Sequence, residues 1–76
     1  MKLTQEIAEG LLLLARSHPK GRITVEDDRL TFDILVEDLG VMSKKDEELL
    51  ENQGWALVEY KEIVLWVYYV LEPIKL

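Results

Sequence analysis

The sequence predicts a small α+β domain spanning residues 1–76, in the order α-β-β-α-β-β, with a four-stranded, mainly antiparallel sheet packed by the first helix. Three observations carry that expectation. A chain of 76 residues has room for one hydrophobic core and no second. An apolar stripe at helical spacing near the N-terminus is followed by two stretches that alternate with the period of a strand. Cap and turn residues fall between these stretches rather than inside them. A content of 49% hydrophobic and 32% charged residues, with four Gly and two Pro, is that of a folded chain and not of a disordered tail.

Thr4 is placed to cap a helix over Gln5 to Ser17, in which Ile7, Ala8, Leu11, Leu12, Leu14 and Ala15 form a broad apolar stripe. Glu6 and Glu9 lie near its positive end and Arg16 near its negative end, which favours the helix dipole. Gly10 in mid-helix costs about 1 kcal/mol against Ala and marks a close approach to the sheet. His18-Pro19 stops the helix, because the residue before Pro is pushed out of helical geometry.

From Arg22 to Ile34 the chain alternates, and a two-residue turn at Asp27-Asp28 pairs every position sensibly. Val25 meets Leu30 and Ile23 meets Phe32 on one side, Thr24 meets Thr31 and Arg22 meets Asp33 on the other, and Glu26 and Arg29 flank the turn. The segment Leu35 to Met42 breaks the alternation and reads as a connection. Ser43 with Asp46 forms a capping box for a short helix over Lys44 to Gln53, closed by Gly54. Only Leu49 and Leu50 give this helix an inward face, so it belongs at an edge. Trp55 to Tyr60 and Ile63 to Leu71 then form a second hairpin turning at Lys61-Glu62, with Pro73 beyond it. Its last strand is apolar on both faces, a pattern normal for a strand covered on both sides.

Composition excludes several functions. Fifteen acidic against nine basic residues give a net charge of −6, which repels phosphate backbones and anionic lipid, so no direct nucleic-acid or membrane contact is expected. Without Cys there is no disulfide, thiolate nucleophile or Cys-based metal site. The longest apolar run, Ile63 to Leu71, has nine residues, too few for a membrane helix, and the N-terminus lacks a signal-peptide pattern, so a cytoplasmic location is expected. His18, the lone histidine, has no second His or carboxylate at ligand spacing and reads as a solvated turn residue. Ser17 and Ser43, the two serines, are each explained by a helix end, and the acids at Glu26 to Asp28 lack the spacing of a calcium loop. No enzyme activity, metal or cofactor is expected.

Two features do point to a surface. Ten of the fifteen acids lie between Glu26 and Glu51 against Arg29, Lys44 and Lys45, a local charge of −7. Glu26, Asp27, Asp28, Glu37, Asp38, Glu47, Glu48 and Glu51 are therefore candidates for a face that meets a basic partner, or else a merely solvated surface. Trp55, Tyr60, Trp66, Tyr68 and Tyr69 crowd the last hairpin, either as core or as an interface, since a single helix stripe covers only one sheet face. The run Ser43 to Trp55, an acidic helix ending in Gly-Trp before an aromatic hairpin, resembles a pattern in small bacterial and phage proteins and carries no functional residue with it. The expected function is a non-enzymatic protein-interaction module, homodimeric through the C-terminal hairpin, that engages a protein partner through the acidic face, the aromatic hairpin or both. The alternative is a phage-type acidic inhibitor, a nucleic-acid mimic directed for example at a host defence nuclease complex.

Overall fold

The computed structural model describes residues 4–69. The elements are α1 (Gln5–Ser17), β1 (Arg22–Val25), β2 (Arg29–Leu35), a single 3₁₀ turn (Val36–Asp38), α2 (Lys44–Asn52), β3 (Trp55–Tyr60) and β4 (Ile63–Tyr69). Both helices start where the capping residues place them. The Thr4 hydroxyl accepts from the Ile7 N–H at 3.2 Å, and the Ser43 hydroxyl accepts from the Asp46 N–H at 3.1 Å. At the far end of α2, Gly54 takes φ +107°, a value that L side chains avoid and Gly adopts freely.

The four strands form one sheet in the order β1-β2-β4-β3, with every neighbouring pair antiparallel. The first hairpin has the register read from the alternation: Arg22 opposite Asp33, Ile23 opposite Phe32, Thr24 opposite Thr31 and Val25 opposite Leu30. The Glu26 N–H donates to the Arg29 carbonyl at 2.9 Å, leaving Asp27-Asp28 as the loop. In the second hairpin Tyr60 faces Ile63, and Lys61 turns the chain at φ +56°. The end of the last strand near Leu71, and Pro73 after it, lie outside the described residues.

Because β4 pairs with β2 on one side and β3 on the other, it is an inner strand of the sheet, as is β2 between β1 and β4. Its alternate residues serve different layers. Val64, Trp66 and Tyr68 point to the helix side with Leu30, Phe32 and Ile34 of β2 and Trp55 of β3. There Ile7 and Leu14 of α1 and Leu50 of α2 join Leu30, Phe32, Trp55 and Trp66 in one buried cluster. Trp55 Nε1 sits so near α1 that a Cβ at Gly10 would lie 2.6 Å from it. Gly10 is thus the close helix-to-sheet approach expected of it, and the helix loses about 1 kcal/mol of propensity to gain an indole contact.

The inward stripe of α1 differs from the expected one. Leu12 and Ala15 are exposed, and Leu13 instead packs against the core beside Leu11. Four consecutive leucines leave the stripe ambiguous by one position, and the positions of Ile7, Gly10 and Leu14 settle which flank faces the sheet. In α2 only Leu50 is buried while Leu49 is half exposed, consistent with a helix that packs on the edge strand β3.

Candidate functional site

The side of the sheet away from the helices carries no covering layer among the described residues. On it lie Arg22 and Thr24 of β1, Arg29, Thr31, Asp33 and Leu35 of β2, the odd-numbered residues of β4 from Ile63 to Tyr69, and Ala56, Val58 and Tyr60 of β3. Leu35, Val58, Tyr60 and Tyr69 are exposed there, and only Val67, at the centre, is closed off by its neighbours. The apolar positions run along β4 and across to Ala56, Val58 and Tyr60 of β3, with Leu35 of β2 at one end, while Arg29, Thr31 and Asp33 of β2 make the other border polar. An apolar stretch of this extent, rimmed by polar groups, is the kind of surface that a partner covers.

Its charge is unlike that of the rest of the chain. Two bases, Arg22 and Arg29, and two acids, Asp33 and, at the hairpin end, Glu26, stand on this face, in a chain with fifteen acids. Arg22 Nη2 donates to Asp33 Oδ2 at 3.3 Å directly across the strands. The Arg29 guanidinium pairs with Glu26 at 3.1 Å and lies 5.9 Å from the centre of the Tyr69 ring.

The five aromatic candidates divide between the two sides. Trp55 and Trp66 are core residues, and Tyr68 packs against them, its ring centre 5.4 Å from that of Trp55. Tyr60 and Tyr69 lie on the open face. The alternation of β4 is the signal that separates them, once the helix side is known.

The eight acidic candidates are not brought together. Glu26, Asp27 and Asp28 stand at the hairpin tip before β2, and Glu37 and Asp38 follow its other end. Seven residues of strand put these groups about 20 Å apart. Glu47, Glu48 and Glu51 form a third group on α2. A continuous acidic stretch of sequence thus becomes three separate acidic places.

On the helix side a cleft of about 380 Å³ opens between the segment 39–42, α2 and the β3–β4 pair, with Glu47 and Glu59 beside Leu57 and Trp66. His18 forms part of its wall and corrects the reading of a solvated turn residue: it is only 4% exposed. The turn after α1 folds back so that the imidazole lies 6.3 Å from the Phe32 ring, and its Nδ1 accepts the Gly40 N–H at 3.0 Å. That bond requires an unprotonated Nδ1 and leaves the proton on Nε2. No feature of the sequence near His18 announces it, because the partner is a backbone amide 22 residues away. The residues lining the cleft include no hydroxyl or thiol nucleophile, and among the described residues no group of three His, Cys, Asp or Glu could hold a metal ion.

Burial holds the His18 pKa below its ordinary value of 6.5, with Glu47 pulling the other way. The unfolded chain therefore takes up this proton first as pH falls. His18 contributes stability above pH 6.5 that is lost as pH drops toward the lower folded-state value, with a slope of at most about 1.4 kcal/mol per pH unit. Urea unfolding at pH 7.5 and 5.5 checks this. The wild-type chain is expected to lose more stability between the two than His18→Asn, which keeps an acceptor for Gly40 and cannot titrate. Equal losses would show that His18 is not held neutral by the fold.

No helix among the described residues is long and apolar enough to cross a membrane. Comparison with protein-family models, with curated proteins and with solved structures gives no match to this chain.

Proposed function

We propose that this protein is a non-enzymatic protein-interaction module that forms a homodimer through the open face of its sheet. The observation that carries this reading is the inner strand β4, apolar on both sides while helices cover only one. A second copy supplies the missing layer. Charge favours this occupant, since two copies of net charge −6 meet with least repulsion on a face where Asp33 and Glu26 are each paired with an arginine, Arg22 and Arg29. A two-fold contact also needs a patch complementary to itself, and an apolar strip rimmed by both signs of charge meets that need. In such a dimer Glu47, Glu48 and Glu51 on α2 stay outside, available to a basic protein partner. A nucleic-acid mimic has less support, because a row of phosphates is poorly matched by three separate acidic groups.

Sedimentation at micromolar concentration should show a dimer, and Tyr69→Glu should weaken it at least tenfold while the fold is kept. Tyr69 is 50% exposed, so the change costs little in the isolated chain but places an unpaired carboxylate within the contact. Val58→Glu, on the same face in β3, should act alike. A wild-type chain that stays monomeric over the whole range, or a dimer indifferent to both changes, would refute the face-to-face contact.

A further inference from the structure

The strand β1 ends the sheet, and its position there leads to a second contact that is independent of the open face. All four of its residues are exposed. Ile23 is 46% and Val25 63% exposed, although the residues they face on β2, Phe32 and Leu30, are fully buried. The helical layer thus stops short of the sheet edge. Nor does β1 carry the devices that guard an edge: it has no Pro, no bulge and no charge on the helix side.

The direction of its free backbone groups follows from the ladder. The Glu26 N–H is bonded to Arg29, so Thr24 and Arg22, two and four residues earlier, also direct their backbone groups to β2. Ile23 and Val25 then direct theirs outward. We infer that β1 pairs antiparallel with β1 of a second copy, with Ile23 opposite Val25 of the other chain and Thr24 opposite Thr24 on the two-fold axis. This register satisfies the outward N–H and C=O of Ile23 and Val25 in both chains, four hydrogen bonds in all.

Charge and the extent of the ladder together select that register among its neighbours. It sets Arg22 of one copy opposite Glu26 of the other, twice. Since Arg22 already faces Asp33 and Glu26 already pairs with Arg29, a ladder of alternating sign, Asp33–Arg22–Glu26–Arg29, crosses the seam at both ends. Sliding two residues one way sets Arg22 opposite Thr24 and Glu26 opposite Lys20, in the turn before β1. Sliding two residues the other way sets Ile23 opposite Asp27 and Arg22 opposite Asp28, in the loop after it. Only the register with Thr24 on the axis keeps both charge pairs on residues bonded into the β1–β2 ladder. The same register brings the exposed Ile23 and Val25 of the two chains together on the helix side and joins the two sheets into one of eight strands. With the helices on the same side of that sheet, the open faces also become one surface.

The test uses the Tyr69→Glu chain, in which the face-to-face contact is removed, so that sedimentation reads the edge alone. That chain should still dimerise. Val25→Pro, which removes an outward N–H and leaves the β1–β2 ladder its own, should weaken the dimer at least tenfold with an unchanged circular dichroism spectrum. Arg22→Glu and Glu26→Arg should each weaken it at least tenfold as well, and an equimolar mixture of these two chains, which places opposite charges at both junctions, should recover the parent affinity to within about threefold. The mixture keeps the test decisive if Val25→Pro does not fold. A monomeric Tyr69→Glu chain, or single charge variants that associate like the parent, or a mixture no better than its components, would overturn the edge contact. A wild-type dimer broken by Val25→Pro and indifferent to Tyr69→Glu would instead remove the face-to-face contact and leave the edge standing.

Discussion

Trp66→Ala is expected to leave much of the chain unfolded at 25 °C. The indole is 2% exposed, in the middle of the inner strand β4, with Phe32 opposite on β2 and Leu57 opposite on β3. Truncating a fully buried aromatic costs about 3–5 kcal/mol in lost transfer free energy and residual cavity. A domain of this size has on the order of 4–11 kcal/mol in total, so the loss takes a large part of it. Tyr69→Ala, three positions along the same strand but on the other side, should cost under about 1 kcal/mol to the isolated chain, because its ring is already half in water. Urea unfolding of the two variants therefore tells which side of β4 is the core. Should Trp66→Ala lose less than Tyr69→Ala, the assignment of the faces is reversed, and the open face with it.

That contrast also marks how far the amino-acid sequence could be read. Periodicity is a local signal, and both helices and both hairpins came within reach of it, the first hairpin with the register of each pair. Cap chemistry is local as well, and Thr4 and Ser43 stand where it puts them. What local signals leave open is how the units meet. The pairing of β2 with β4 joins two hairpins from opposite ends of the chain, and only it makes β2 and β4 the inner strands. An alternation that is apolar on both sides shows that two layers exist. It does not tell whether a helix, a second sheet or another copy forms the second one. The division of the aromatics into Trp55, Trp66 and Tyr68 against Tyr60 and Tyr69 needed the helix side to be known. The dispersal of the acids is of the same kind: adjacency in sequence from Glu26 to Asp38 spans a whole strand, so its ends separate rather than gather. His18 was out of reach for the opposite reason, since its burial depends on a loop that returns to it 22 residues later.

That loop is the basis of the second large effect. Gly40→Ala is expected to destabilise the chain by about 3 kcal/mol or more and to return the His18 pKa toward its ordinary value. A Cβ at residue 40 would run into the carbonyl oxygen of Ser17, the last residue of α1. A flexible side chain could swing aside, but a backbone oxygen at a helix end moves only with the helix. The segment 39–42 must then lift away. Overpacking of this kind costs about 1–3 kcal/mol, and a buried imidazole left without its donor adds a comparable amount. Lifting the segment also admits water to the cleft that His18 walls, which removes the desolvation that holds its pKa down. The two readouts are independent, unfolding by urea and titration of the imidazole by NMR, and both should move together. His18→Asn serves as the control, because it removes the titration without forcing the loop and should cost much less. A Gly40→Ala chain with parental stability and an unmoved His18 titration would mean that the segment 39–42 does not rest against the end of α1. The cleft would then have no fixed wall on that side, and the open sheet face and the β1 edge would stand without it.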